Sequence, residues 1–176
     1  MAATPAGTSI VEHEVRVAAL PETVFAYFTD PSKMVQWMGA EATLEPRPGG
    51  VCRIAFQPTG SRVDDVQASL GAGEDAAPAP AGPAVMSGEY VEVDPFSRIE
   101  LTWGWELEPL GVPPQSTAVE VTFTPVGEET VVRLSHRRIP EAAVSFHEAG
   151  WTHYLPRLAV RAGGGDPGPD PWQAPA

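Results

Sequence analysis

A two-residue hydrophobic period that keeps returning along the chain, and then gives way to one helical stretch, limits the fold most. In "SRIELTWGWE", Ile99, Leu101, Trp103 and Trp105 alternate with Glu100, Thr102, Gly104 and Glu106. "STAVEVTFTPV" repeats the pattern with Thr117, Val119, Val121 and Phe123, and "ETVVRLSHRRI" follows after the turn "VGEE" with Val132, Leu134 and His136 on one face. Near the N-terminus, "SIVEHEVRV" sets Val11, His13, Val15 and Val17 against Glu12, Glu14 and Arg16. Period two marks half-buried strands, each with one face that must be covered.

The helical segments are fewer. Pro21 opens "PETVFAYFT", where Val24, Phe25 and Phe28 fall at helical spacing, and proline suits a first turn whose N–H would lack a partner anyway. Asp30-Pro31 closes that helix, and "SKMVQW", with Ser32 as its N-cap, predicts a second short one. Strands follow around "AEATLEP" and "GVCRIAF", joined by "RPGG", and then "VMSGEYVEVDP" before the turn "DPFS". A final helix starts after Pro140 and runs to about Arg161; Pro156 inside it predicts a kink or an early end. The order is one strand, two short helices, six antiparallel strands and one long helix. Only the last helix is available to cover the apolar sheet face, so the expected architecture is α+β, a curved antiparallel sheet wrapped around the C-terminal helix.

The remaining segments lack periodic apolar residues. Residues 1–8 are expected to be a flexible lead-in to a single domain over 9–161. The stretch 57–83, with "GAGEDAAPAPAGP", is expected to be a long disordered loop, and 162–176 a disordered Gly/Pro-rich tail carrying a faint partner-like motif, "DPW".

Charge narrows the function. Eleven Lys and Arg against 23 Asp and Glu give a net charge of −12, which opposes binding to nucleic acid or to anionic membranes. No apolar run is long enough to span a bilayer, and "MAATPAGTSI" lacks the build of a secretory signal, so a cytoplasmic protein is expected. A lone Cys52 rules out an internal disulfide and a cysteine-based zinc site; between apolar neighbours it serves as a small buried hydrophobe. There is no GxSxG, no HxH or HxxxH and no glycine-rich loop opening a helix, so neither a metal nor a cofactor is expected.

Taken in order, "VFAYFTDPSKMVQWMG", "PGG", "SGEYVEVDPFSRIELTW", "TAVEVTFTPVGEETVVRLSH" and "HEAGW" with its following leucines resemble the START-like helix-grip superfamily. Within it, they are similar to the bacterial proteins named after the C-terminal domain of the Hsp90 ATPase activator. Three departures stand out: the long 57–83 segment, Pro156, and the missing counterpart of the eukaryotic co-chaperone's N-terminal module. The resemblance implies a cavity between the sheet and the last helix. The side chains expected to reach it are His13, Trp37, Phe56, Tyr90, Leu101, Trp103, Trp105, Phe123, His136, His147, Trp151 and Tyr154. His147, Trp151, Leu155 and Leu158 form one stripe of the helix, Phe146, Gly150 and Tyr154 the adjoining one, and His153 is expected to face solvent.

Pockets for small apolar ligands are lined by aromatic and aliphatic groups with a few polar ones. The function expected is therefore binding of a small apolar or aromatic molecule by a carrier or sensor module. The alternatives are an enzyme of cyclase, dehydratase or hydrolase type using His136, His147 or Tyr154 as acid or base, and a co-chaperone-like or other protein-partner module. Arg137 and Arg138 could hold a ligand carboxylate or simply end a strand. Homodimerisation is compatible with the sequence.

Overall fold

Every alternating segment forms a strand in the computed structural model, which describes residues 8–59, 82–106 and 111–175. Strand β1 (Thr8–Val17) leads into helices α1 (Pro21–Thr29) and α2 (Pro31–Met34). Strands β2 (Glu41–Leu44), β3 (Val51–Phe56), β4 (Ala84–Asp94), β5 (Arg98–Trp103), β6 (Thr117–Val126) and β7 (Glu129–Pro140) follow. A 3₁₀ turn (Glu141–Ala143) then feeds the long helix α3 (Val144–Ala162). The seven strands form one antiparallel sheet in the order β1-β7-β6-β5-β4-β3-β2. β1, the first strand in the chain, pairs with β7, the last, as Val11 against His136 and Val15 against Val132.

The face predicted to be covered is covered. Val17, Val121, Val132, Leu134 and Ile99 are buried together with Trp151, Leu155 and Leu158 of α3, which lies closest to β1. Ion pairs occupy the opposite face: Arg98 is held by Glu92, Glu100 and Glu120, and Arg137 by Glu100 at 2.9 Å. Arg137 is thus a partner within the sheet and not a free anion-binding group. Arg138 takes a positive φ of 64° where the β1–β7 register shifts, a bulge beside the end of the strand.

A close strand contact shapes the middle of the sheet. Gly88 of β4 pairs with Cys52 of β3. A Cβ on Gly88 would lie 1.8 Å from the Thr102 carbonyl oxygen of β5. Immediately beyond it the Glu89 N–H turns to the Thr102 hydroxyl at 2.9 Å, and the β4–β5 register shifts between Tyr90 and Glu92. Only glycine permits backbones to approach this way.

Several local expectations change. Asp30, not Ser32, caps α2: its carboxylate accepts the Ser32 backbone N–H at 2.8 Å, because the residue ahead of Pro31 is held extended and can reach back over the first turn. Strand β5 ends at Trp103, and Trp105 makes only an isolated bridge to Met86. Helix α3 does not stop at Pro156 but continues to Ala162, since Leu155 and Leu158 are buried on either side of it. Pro156 is exposed, and the carbonyl it fails to bond belongs to the exposed Thr152, which water can serve. Pro156→Ala should therefore raise unfolding free energy by about 2 kcal/mol in urea denaturation, since it adds one helical hydrogen bond without disturbing packing. Unchanged or lower stability would contradict this account.

The 57–83 loop lies mostly outside the described residues. The tail differs from expectation: it has no element of its own, but Gln173 forms a β-bridge with Pro58 and Trp172 packs against the domain. Apolar surface on Trp172 and hydrogen bonds to residues 57–59 give it the order that its composition lacks. His153 accordingly does not face open solvent; it lies under Trp172. Among the described residues, no helix is long and apolar enough to cross a membrane.

Candidate functional site

Ten of the twelve side chains expected at the cavity fall into two groups, and His13 and Leu101 stand apart from both. Trp37, Tyr90 and Phe123 belong to the packing between α1, α2 and the sheet. The Trp37 indole N–H donates to the Tyr27 carbonyl at 3.0 Å, and the Tyr90 hydroxyl donates to the Phe28 carbonyl at 2.8 Å. The Phe123 ring meets Phe25 and Phe28 edge-on. Next to Tyr90, burial pushes the Cys52 thiol up to about 12, which keeps it protonated and unreactive. His13 stands on β1 opposite Leu134, half-buried, with its Nε2 enclosed and without a hydrogen-bond partner among the described residues. Leu101 is buried on β5, two residues before Trp103.

The second group is one continuous cluster. Its rings come from the end of β5 and the residue pair after it (Trp103, Trp105), from β7 (His136), from β3 (Phe56) and from α3 (His147, Trp151, Tyr154). The Trp103 ring lies 5.0 Å from Trp151, 5.7 Å from His136 and 5.9 Å from Trp105. The two imidazoles meet edge to face at 4.9 Å. Phe56 joins Trp105 at 5.5 Å to Tyr154 at 5.7 Å, which carries the cluster outward toward the tail.

Hydrogen bonds fix both tautomers. Thr117 donates its hydroxyl proton to the Trp103 carbonyl at 2.7 Å, so its oxygen accepts from His136 Nε2 at 2.7 Å. His136 Nδ1 in turn accepts the Trp151 indole N–H at 3.1 Å. For His147 the roles reverse: Nδ1 donates to the Ala143 carbonyl at 2.7 Å, and Nε2 accepts the Trp105 indole N–H at 3.0 Å. A second proton on either ring would point at an indole N–H, donor against donor. Burial, with His147 nearby, lowers His136 to about 2; burial lowers His147 to about 4 despite its bond to the Ala143 carbonyl. Both rings are neutral at physiological pH, with every nitrogen engaged.

One polar atom in the cluster is different. Trp103 Nε1 is buried and has no hydrogen-bond partner among the described residues. Its backbone carbonyl is bound by Thr117, while its ring is walled by Trp105, His136 and Trp151. Thr117, fully buried, is the member of the cluster that sequence reasoning passed over; its place on the Val119–Val121–Phe123 face was visible, but its contact with His136 depends on the β6–β7 register. No three of His, Cys, Asp or Glu converge as a metal site among the described residues. A surface cleft of about 470 Å³ between Arg16, Ala18, Val126, Glu128 and Glu129 lies at the other end of β7, without an aromatic lining.

A long C-terminal helix laid on a seven-stranded antiparallel sheet, with two short helices after the first strand, defines the START-like helix-grip class. The chain belongs to the Activator of Hsp90 ATPase homolog 1-like family, whose model matches residues 18–68 and 78–163. Among solved structures, an AHSA1-like protein from Rhizobium etli is 36% identical with a TM-score of 0.63, over 97% of this chain and 91% of that one. The AHSA1 protein from Silicibacter pomeroyi shares the fold at 23% identity and a TM-score of 0.63, over 87% of this chain and 96% of that one. DynU16, a protein in the dynemicin biosynthetic locus, shares it at 24% identity and a TM-score of 0.65; the match covers 90% of this chain but only 48% of DynU16. A search of curated proteins gives no match.

Proposed function

We propose that the domain binds a small, largely apolar or aromatic molecule that carries a hydrogen-bond acceptor, between the sheet and α3, as a carrier or sensor and not as an acid–base catalyst. The observation that carries this reading is the unpartnered Trp103 indole N–H inside an aromatic enclosure. A buried donor without a partner is unfavourable by about 1–3 kcal/mol, and a ligand carbonyl or ether oxygen would relieve it. Binding a neutral acceptor among closely packed indoles suits an aromatic ketone better than a charged metabolite.

The neutral histidines weigh against the enzymatic alternative. A general base needs a nitrogen lone pair facing substrate, and a general acid needs a proton to give. His136 and His147 spend all four ring nitrogens on Thr117, Trp151, Ala143 and Trp105. Tyr154 is already engaged, its hydroxyl accepting from Gln173 at 3.1 Å. The two imidazoles hold the indoles of Trp151 and Trp105 in place and have no free nitrogen with which to move a proton.

Prodan, a naphthalene ketone whose emission shifts to longer wavelength when its carbonyl accepts a hydrogen bond, tests the reading. Titrated into the wild-type protein it should bind saturably. Trp103→Phe, which keeps a six-membered aromatic ring but removes the N–H with the five-membered part of the indole, should weaken that binding by ~3–10-fold, the worth of one net hydrogen bond, and shift the bound emission to shorter wavelength. In the free protein the cavity left by the smaller ring should lower stability, and the loss of a donor without a partner among the described residues offsets part of that cost. Equal prodan affinity and emission in both proteins would refute the role given to Trp103. No saturable binding to either would remove support for the ligand site.

A further inference from the structure

The tail motif "DPW" finds its place in the fold. Helix α3 ends at Ala162, and the chain doubles back along it. The Asp170 carboxylate accepts from His153 Nε2 at 2.8 Å and from the Trp172 backbone N–H at 3.0 Å, while Arg157 binds the Gly168 carbonyl at 2.9 Å. Trp172 lies flat on the His153 ring, 3.7 Å between centroids and 17° from parallel, and meets Tyr154 edge-on at 5.8 Å.

The tail next crosses to the extension of β3. The Thr59 N–H donates to the Trp172 carbonyl at 3.1 Å, the Ala174 N–H to the Gln57 carbonyl at 2.6 Å, and the Gln57 N–H to Gln173 Oε1 at 2.7 Å. Gln173 also donates to the Tyr154 hydroxyl at 3.1 Å. The tail thus ties α3 to the end of β3 across Phe56 and Tyr154, the outer members of the aromatic cluster that leads through Trp105 to Trp103.

We infer that residues 166–175 are a strap that closes the Phe56–Tyr154 end of the space between sheet and α3, and that a ligand passes when the strap lets go. The inference rests on the ligand-binding reading above. Its fastenings are of the kind that opens locally. They include one stacked ring, one His–Asp contact, two backbone–backbone hydrogen bonds, the two bonds of the Gln173 side chain and the Arg157–Gly168 bond, on a segment with no helix or strand of its own. When the competent state is a minor one, association slows in proportion to its population.

Stopped-flow mixing of prodan with the full-length wild type and with Trp172→Ala, Asp170→Asn and Gln173→Ala tests this, with amide hydrogen exchange at Thr59 and Ala174 reporting the strap directly. Faster exchange at those amides together with prodan association accelerated by ~10-fold or more is expected, as for an open state populated at a tenth or less. A signal seen only in the variants would likewise support the gate. Faster exchange with prodan association unchanged would overturn the gate alone and leave the binding site standing. Exchange as slow as in the wild type would overturn the fastening role given to these side chains. Loss of protection with no prodan binding to any of the proteins would overturn both the gate and the ligand reading.

Discussion

Between pH 7 and pH 5 the unfolding free energy is expected to fall by about 4 kcal/mol, a large part of the total for a domain of this size. The two buried histidines are the cause. In the unfolded chain each takes up a proton near its ordinary value of 6.5; in the folded protein His147 does so only near 4 and His136 near 2. A depressed folded value means that the neutral form is the native one. The stabilisation is therefore fully present above 6.5 and is lost as pH falls toward the folded values. Each histidine contributes a slope approaching about 1.4 kcal/mol per pH unit, and the two add as long as both remain neutral in the native state. Urea denaturation at intervals between pH 7 and pH 5 measures the slope. His147→Gln should remove about half of it, since glutamine can still accept from Trp105 without titrating. A stability that stays flat down to pH 5.5, where ordinary carboxylates are still charged, would mean that the two rings are not enclosed and neutral as described.

The second large effect separates two glycines. Gly88→Ala is expected to cost about 3 kcal/mol or more, because its Cβ would stand 1.8 Å from the Thr102 backbone oxygen and neither strand can yield without parting the sheet. Gly150→Ala makes the same chemical change on α3, where a Cβ would meet nothing within 4 Å, and should stabilise by about 1 kcal/mol through helix propensity. Opposite signs in one denaturation series are the expected result. A neutral Gly88→Ala would show that the β4–β5 crossing is looser than its geometry implies. Beyond stability, the Gly88 crossing lies against Thr102, the residue next to Trp103 of the aromatic cluster.

Much of the architecture was legible because each strand buries one face. The alternation through Ile99, Leu101, Trp103 and Trp105, and through Val119, Val121 and Phe123, follows from that requirement directly. The helical stripe of His147, Trp151, Leu155 and Leu158 was visible for the same reason, and all four are buried. Periodicity gives a face but not a neighbour. It could not separate Trp37, Tyr90 and Phe123, which pack with α1 and α2, from the rings around Trp103, because both groups share the covered face. Nor could it show that Thr117 and Trp151 satisfy His136, since those contacts arise from register between β6 and β7 and from where α3 crosses them. The tail escaped for a different reason. Its order comes from partners at Gln57, His153 and Tyr154, distant in sequence, and local composition carries no trace of them. Pro156 misled in the same way, because two buried leucines hold the helix together across a missing hydrogen bond.

The three indoles packed on the His136–His147 pair have an optical consequence. Trp103 lies 5.0 Å from Trp151 at 54° and 5.9 Å from Trp105 at 84°. Transition dipoles that close couple with one another, and in a fixed chiral arrangement the coupled rings absorb left and right circularly polarised light unequally, as a paired positive and negative band. The protein carries its own chromophore array in the cluster around Trp103. Any molecule that turned one ring would change the sign pattern of that band without a label.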